Sequence, residues 1–106
     1  MQIIKIKRLK NPEAVEAERK MRCEVCAAPA HGGPHHIVTV GAGGPDLAEN
    51  LIQLCWQCHY GKLPAGRLTK ARLIRDVAER IGIDPSDVRA RIAQAMGRGI
   101  KREGEE

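Results

Sequence analysis

The chain has 106 residues and a net charge of +5, with one Trp, one Tyr and no Phe. A chain of this length has room for one domain, and with so few large side chains we expect that domain to need a metal or disulfides for stability. A membrane protein is excluded, because a membrane span needs about twenty consecutive apolar residues and the sequence has no such run.

The positive charge is divided unevenly along the chain. Residues 23–58 contain three acids and no Lys or Arg, whereas residues 1–22 and 59–106 each carry a surplus of four positive charges. A base-free centre between basic flanks fits a cation site next to surfaces that attract a polyanion. General solubility is the alternative explanation for the charge.

Residues 1–22 predict a basic arm followed by a helix. Residues 2–7 alternate in part between apolar and basic side chains, which suggests a short strand or an extended arm. Asn11 and Pro12 are typical of a helix cap and a first helical residue, so a helix should lead from there toward Cys23. The first twenty residues contain no long apolar run, and we therefore expect no signal peptide and a reducing, cytoplasmic location.

Two Cys-x2-Cys pairs, Cys23 with Cys26 and Cys55 with Cys58, have the spacing of a tetrahedral zinc site. A site in which protein fills all four positions would be structural and would leave none open to substrate. The alternative is that the cysteines are buried small residues or redox-active groups, but that explains the repeated spacing poorly.

Two strands and a short helix are expected around the second cysteine pair. The β-branched run 37–40 predicts a strand that begins at His35 and His36. Residues 41–46 are rich in glycine and should form a loop, and residues 51–54 should return as a second strand. A short helix over residues 56–62 would then carry Cys58 and His59 in its early turns.

The C-terminal part predicts a helical hairpin and a tail. Thr69 should cap one amphipathic helix that ends at Gly82, and Asp84 should cap a second with Pro85 as its first residue. An Ala-x3-Gly-Ile-x4-Val pattern over residues 78–88 is also found in helix-turn-helix elements that read the major groove. The hairpin is therefore either a DNA contact or a unit that only packs on the rest of the domain. Residues 98–106 should be disordered.

The order of motifs between residues 23 and 63 is Cys-x2-Cys, His-His-Ile, Gly-Gly, Glu-Asn-Leu and Leu-Cys-x2-Cys-His. This order resembles the HNH (ββα-metal) endonuclease family, in its small stand-alone form with a four-cysteine zinc site. The resemblance implies an α+β fold with a zinc-stapled ββα-metal core and flanking helices. The resemblance covers the nuclease core (23–63) and leaves the flanks unassigned; with the local signals above, the rest of the chain divides into an N-terminal arm and helix (1–22), a helical hairpin (64–97) and a tail (98–106).

The resemblance also implies roles for four polar residues. His36 would be the general base, Asn50 would keep it oriented, and His35 and His59 would bind a catalytic divalent cation. Many family members have Asp where this chain has His35, and two imidazoles suit Mn²⁺, Ni²⁺ or Co²⁺ as well as Mg²⁺. A further histidine ligand found in some members is replaced by Leu63, so water and phosphate oxygens should complete the coordination.

The implied reaction is hydrolysis of DNA phosphodiester bonds, one strand per active site, leaving a 5′-phosphate and a 3′-hydroxyl. Lys62, Arg67 and Lys70 are candidates to contact DNA phosphates, although a solvated helix face would look the same. The expected partners are double-stranded DNA and phage packaging or other DNA-processing proteins. The expected setting is the cytoplasm of a bacterium or a phage-infected host.

Two other functions remain open at this point. A non-catalytic zinc ribbon that binds nucleic acid or a protein would explain the cysteines and the charge, but not the histidines, the glycine loop and Asn50 at family spacing. A nuclease that acts on RNA would use the same residues.

Overall fold

The computed structural model describes residues 8–97, and over this range the chain has an α+β fold, as predicted. Its helices are α1 (Pro12–Ala17), α2 (Lys70–Ile81) and α3 (Pro85–Ala95), and a π-helix spans Gln57–Lys62. Strands β1 (His35–His36) and β2 (Leu51–Ile52) pair antiparallel, and 3₁₀ turns cover Val40–Ala42 and Ala48–Asn50. The predicted arm over residues 2–7 and the predicted tail over residues 98–106 lie outside the described residues.

Helix α1 begins as the sequence predicts. The Asn11 side chain accepts a hydrogen bond from the Ala14 N–H at 3.2 Å, and Pro12 is the first helical residue. The helix is only six residues long and buries none of its side chains. It therefore ends well before Cys23, and residues 18–22 complete the path to the first cysteine turn.

Strand β1 is shorter than predicted, because Asn50 takes over the backbone groups that would have continued it. Ile37 donates its N–H to the Asn50 carbonyl oxygen at 2.8 Å. The N–H and the C=O of Val38 both bond to the Asn50 side-chain amide, at 2.8 and 3.0 Å. The Ile37 bond continues the pairing by one step, but both backbone groups of Val38 are bonded to a side chain, so the β-ladder goes no further and the prediction of a strand over residues 37–40 is wrong.

Strand β2 also ends early, and the cause is the first cysteine turn. The N–H of Gln53 donates to the Glu24 carboxylate at 3.0 Å, and the Glu24 N–H donates to the Gln53 carbonyl at 2.9 Å. Gln53 thus pairs with the turn between Cys23 and Cys26 instead of with β1. The predicted strand over residues 51–54 is correct only for its first two residues.

The glycine-rich loop folds back against the end of β1. Gly44 donates its N–H to the Thr39 carbonyl at 2.8 Å, and a Cβ built on Gly44 would overlap the Val38 carbonyl oxygen. No residue with a side chain fits at this position without moving the backbone. The loop is therefore a packed turn that delivers Pro45 and Asp46 to the interior.

The helical hairpin agrees with the sequence at both of its caps. The Thr69 hydroxyl accepts the Arg72 N–H at 3.2 Å, and α2 ends at Gly82, whose φ of 88° is left-handed. Asp84 caps α3 through the Ser86 N–H, with Pro85 in the first position. These signals are local in sequence, so the bounds could be predicted closely.

The core of the described residues is built from aliphatic side chains and thiols, without an aromatic ring. Side chains of α2 and α3 join those of the hairpin strands and the cysteine turns in one cluster; its most deeply buried members are Ile37, Ile52, Cys58, Leu73, Val77 and Val88. Helices α2 and α3 thus pack on the segment that carries the cysteines and histidines. None of the helices in residues 8–97 is both long and apolar enough to cross a membrane.

Candidate active site and metal centre

Four thiols from two distant turns meet at one point. All four sulfur atoms lie within 4.8 Å of one another. The Cys26 Sγ is 3.5 Å from the Cys55 Sγ and 3.7 Å from the Cys58 Sγ. Tetrahedral zinc with Zn–S bonds of about 2.3 Å would hold its sulfurs about 3.8 Å apart. The cluster therefore fits a four-thiolate metal site, as the spacing predicted.

The hydrogen bonds within the cluster favour thiolate formation at one sulfur. Burial opposes ionisation of Cys55, but the Cys58 N–H and the neighbouring thiols bond to its sulfur and lower its pKa to about 7. Burial raises the pKa of Cys58, and the neighbouring thiols raise it further. Four adjacent thiols cannot all ionise alone, so a bound cation is what would make all of them thiolates.

His35 and His59 form a pair beside a cleft of about 440 Å³. His35 lies on β1 and His59 on the π-helix, and their ring centroids are 4.7 Å apart at an interplanar angle of 59°. The strand and the helix meet here because Cys55 and Cys58 fix the start of the π-helix against the first cysteine turn. The two residues predicted to bind the catalytic cation are thus brought together.

The surroundings of His35 keep its ring neutral at physiological pH. Burial and the positive charges of His59, His36 and Lys70 lower the pKa of His35 to about 4. A neutral imidazole has a nitrogen lone pair for a cation, whereas a protonated one does not. The chemistry of this pair therefore suits metal coordination.

His36 makes contact with a different group, as expected for neighbours in a strand. Its Nε2 lies 2.8 Å from Asp46 Oδ1, and the same carboxylate accepts Arg8 Nη1 at 2.7 Å and the Asn11 N–H at 2.8 Å. Arg8 also contacts the glycine loop directly, because its Nη1 donates to the Gly44 carbonyl at 2.9 Å. His36 is thus held by a residue of the loop and, through it, by the N-terminal segment.

The charge state of Asp46 decides which nitrogen of His36 carries a proton. Burial would raise the pKa of Asp46, but hydrogen bonds from Arg8, His36 and the Asn11 N–H hold it well below its usual range. An ionised carboxylate only accepts hydrogen bonds, so the network assigns the proton to His36 Nε2. In the neutral ring Nδ1 is then the basic nitrogen.

Asn50 is fully buried and joins the strand end to the loop. Its Oδ1 accepts the Val38 N–H at 2.8 Å, and its Nδ2 donates to the Val38 and Pro45 carbonyls at 3.0 Å each. The amide therefore fixes the residues that follow His36 and precede Asp46. Asn50 thus bridges the two ends of the glycine loop.

The three basic residues predicted to contact phosphates line two grooves near the histidine pair. Lys70 is exposed and lines a groove that it shares with His35. Lys62 and Arg67 line a second groove, on the π-helix, together with Trp56 and Tyr60. All three cations thus border the surface that contains the site.

Sequence reasoning missed three features of the site. Asp46 could not be linked to His36 from sequence, because a carboxylate in a glycine loop has no fixed spacing to a strand. Its contact with Arg8 spans 38 positions, and no local pattern predicts it. The exposed pair Trp56 and Tyr60 could have been suspected, because the only two large aromatic residues both fall in the segment next to Cys58 and His59.

The comparison with known proteins agrees with this geometry. A family model described as HNH endonuclease matches residues 23–63, the same extent as the resemblance in the motifs. No significant match is found among curated proteins or among solved structures. The matched segment begins at Cys23 and contains the thiol cluster, the histidine pair, His36 and Asn50. Residues 23–63, about two fifths of the chain, are therefore similar to the HNH endonuclease family.

Proposed function

We propose that the chain is a metal-dependent endonuclease that hydrolyses phosphodiester bonds of double-stranded DNA. The observation that carries the proposal is the pairing of the His35 and His59 rings at 4.7 Å within the HNH segment, beside an open cleft. A nucleic-acid substrate is in keeping with the family and with the basic side chains around the site. One site per chain cuts one strand, so nicking is the elementary reaction.

His35 and His59 would hold a divalent cation, and the thiol cluster would hold a structural zinc ion. A cation at the histidine pair would stabilise negative charge on the phosphate and on the leaving oxygen. Imidazole ligands suit Mn²⁺, Ni²⁺ and Co²⁺, and Mg²⁺ remains possible where water and phosphate supply the other ligands.

His36 acts as the general base in this proposal. Its Nδ1 takes a proton from the attacking water while Nε2–H remains bonded to Asp46, which fixes the ring and favours the positive charge that develops on it. Asp46 and Asn50 are positioning residues, since they contact His36 and its neighbours and not the phosphate. The products are a 5′-phosphate and a 3′-hydroxyl.

Lys62, Arg67 and Lys70 contact backbone phosphates on either side of the cut. Such contacts set affinity and its salt dependence without selecting a sequence. The core at residues 23–63 carries the chemistry, and the segments 1–22 and 64–97 support it, the first through Arg8 and the second through packing. Bacterial or phage DNA processing, including packaging, is the setting we propose.

Nicking of supercoiled plasmid tests the proposal. The zinc-loaded protein, freed of loosely bound ions, is assayed with Mg²⁺, Mn²⁺, Ni²⁺ or Co²⁺ and with no addition. We expect open circle only with an added cation, and a loss of at least about 100-fold in His36→Ala. Glu13→Ala is the control, since it removes an exposed side chain of α1 that does not line the cleft, and it should nick within about twofold of the parent.

The outcomes separate the alternatives. Zinc-loaded protein that binds DNA but does not nick it with any of these cations would make the chain a non-catalytic zinc-ribbon binding protein. Faster cleavage of a matched RNA duplex would make RNA the substrate. Unchanged nicking in His36→Ala would remove His36 as the base.

A further inference from the structure

The only Trp and the only Tyr of the chain lie on the surface. Trp56 is 75% exposed and Tyr60 is 57% exposed, whereas the buried positions are filled by aliphatic side chains and thiols. Burying rings of this size is normally a major source of stability, and this chain has few other large groups to bury. Their exposure therefore indicates a surface that binds something.

The two rings continue the row of rings that starts at the histidine pair. The ring centroids of Trp56 and Tyr60 are 4.3 Å apart, and those of Tyr60 and His59 are 4.2 Å apart. His59 in turn lies 4.7 Å from His35. An unbroken row of four rings thus leads from the proposed cation site to open solvent.

Positive side chains accompany the row. The groove beside Trp56 and Tyr60 has a volume of about 340 Å³ and is also lined by Lys62 and Arg67. Exposed rings next to cations match the chemistry of a nucleotide, since the base can stack on a ring while the phosphate meets a positive charge. A partner protein would need an apolar patch, and the cations at this groove favour a polyanion instead.

The base that stacks on these rings must be unpaired. In continuous duplex both faces of each base are covered by its neighbours, so a ring on the protein can reach only base edges and backbone. A single-stranded or locally melted segment offers free base faces. The exposed rings therefore discriminate between the two forms of DNA.

We propose that Trp56 and Tyr60 form a stacking platform for unpaired bases next to the scissile phosphate. The proposal rests on the proposed function in one respect, namely that the phosphate lies at His35 and His59. The platform selects DNA that is single-stranded or melted at the cut site over continuous duplex. Trp56, which precedes the π-helix, and Tyr60, which lies in it, would thus give the proposed nuclease its preference for unpaired DNA.

Trp56 reports on its own contacts, because it is the only tryptophan and its fluorescence is quenched when a base stacks on it. The zinc-loaded His36→Ala chain, which does not cleave, is titrated with a DNA strand of about 12 nucleotides. The same strand is tested as a blunt duplex and as an abasic strand of equal charge. We expect quenching and tighter binding with the single strand, and little quenching with the other two.

Substitution of the rings tests the platform without using fluorescence. Trp56→Ala and Tyr60→Ala should each weaken single-strand binding by about 5- to 150-fold, measured by anisotropy of a labelled strand, and leave duplex binding within about twofold. Trp56→Phe keeps an aromatic face and should restore most of the affinity. Val40→Ala removes an exposed apolar side chain outside the row and serves as the matched control.

Two results would overturn the platform: equal affinity for single strand and duplex, or affinities unchanged by loss of either ring, as a protein-docking surface would give. These readouts need no cleavage, so they separate the platform from the nuclease. Protein that binds and quenches as expected but never nicks keeps the platform and refutes hydrolysis. Protein that nicks continuous duplex and a melted bubble equally well, with or without Trp56, keeps hydrolysis and refutes the platform.

Discussion

Asp46 joins three parts of the chain through one buried carboxylate. It binds His36 of β1, Arg8 of the N-terminal segment and the backbone N–H of Asn11. We expect Asp46→Asn to lower the nicking rate by about 10- to 100-fold, because an amide no longer fixes the His36 tautomer. Steady-state kinetics with DNA in excess would show this loss in kcat, with KM nearly unchanged.

Arg8→Met is the control for Asp46→Asn. It removes the Arg8 guanidinium from the carboxylate but leaves the hydrogen bond between Asp46 and His36. The melting temperature should therefore fall, whereas the nicking rate should stay within a few-fold of the parent. Equal rate losses in the two variants, in proportion to their loss of folded protein, would show that Asp46 is only structural.

Gly44 offers a second prediction at the level of one residue. Because a Cβ here would meet the Val38 backbone, which cannot move away as a flexible side chain does, Gly44→Ala should destabilise the fold by about 1–3 kcal/mol. Gly41→Ala is the matched control, since a Cβ there meets no atom within 4 Å. Urea unfolding of both variants gives the comparison, and equal midpoints would contradict the packed-loop interpretation.

At the level of secondary-structure elements, Arg80 links helix α2 to the turn between Cys23 and Cys26. Its guanidinium donates to the Glu24 carboxylate at 2.8 and 2.9 Å and to the Ala48 carbonyl at 2.7 Å. Both side chains of the pair are largely buried. Since removal of Arg80 leaves Glu24 without its main cation, Arg80→Met should cost about 1.5–3 kcal/mol of unfolding free energy.

Arg91 provides the comparison for Arg80. It pairs with Glu49 at 3.0 Å, but half of its side chain is exposed, so Arg91→Met should cost no more than about 1 kcal/mol. Chemical denaturation of the two variants measures both values. A larger loss of unfolding free energy for Arg91→Met than for Arg80→Met would contradict this expectation. It would mean that α3, and not α2, holds the helical hairpin on the rest of the fold.

The elements also show what the sequence could predict and what it could not. Helices α1, α2 and α3 begin at Asn11, Thr69 and Asp84, whose capping bonds reach only two or three residues along the chain. The strands end early because their backbone groups bind Asn50 and Glu24, which are 12 or more positions away. Local signals were therefore sufficient for the starts of these three helices, whereas the strand ends depend on tertiary partners.

The candidate site divides in the same way. The four cysteines were predictable because metal geometry imposes a spacing, and the placement of His35 with His59 followed from the family motif. The contact of His36 with Asp46 and the π form of the helix that carries His59 have no local signature.

For the molecule as a whole, we expect the fold to depend on zinc. Structural zinc sites contribute apparent free energies of about 10–16 kcal/mol at neutral pH, as much as the entire stability of a typical domain. Removal of zinc with a strong chelator, or Cys58→Ser, should therefore abolish the dispersed amide NMR spectrum. Zinc added back under reducing conditions should restore the parent protein, and a spectrum that stays dispersed without metal would contradict this dependence.

We also expect the thiol cluster to set the order in which the molecule folds. Cys26 and Cys55 are 29 positions apart, and the intervening chain carries His35, His36, Asp46 and Asn50. Bringing the ends of such a loop together costs about 3 kcal/mol of chain entropy plus a constant, which a small aliphatic core offsets poorly. Sulfur–metal bonds would close this loop, so we expect the histidines to come together only afterwards. If the proposed nuclease activity holds, zinc supply to the newly made chain would then control when DNA cutting begins, whatever other cations the cell contains.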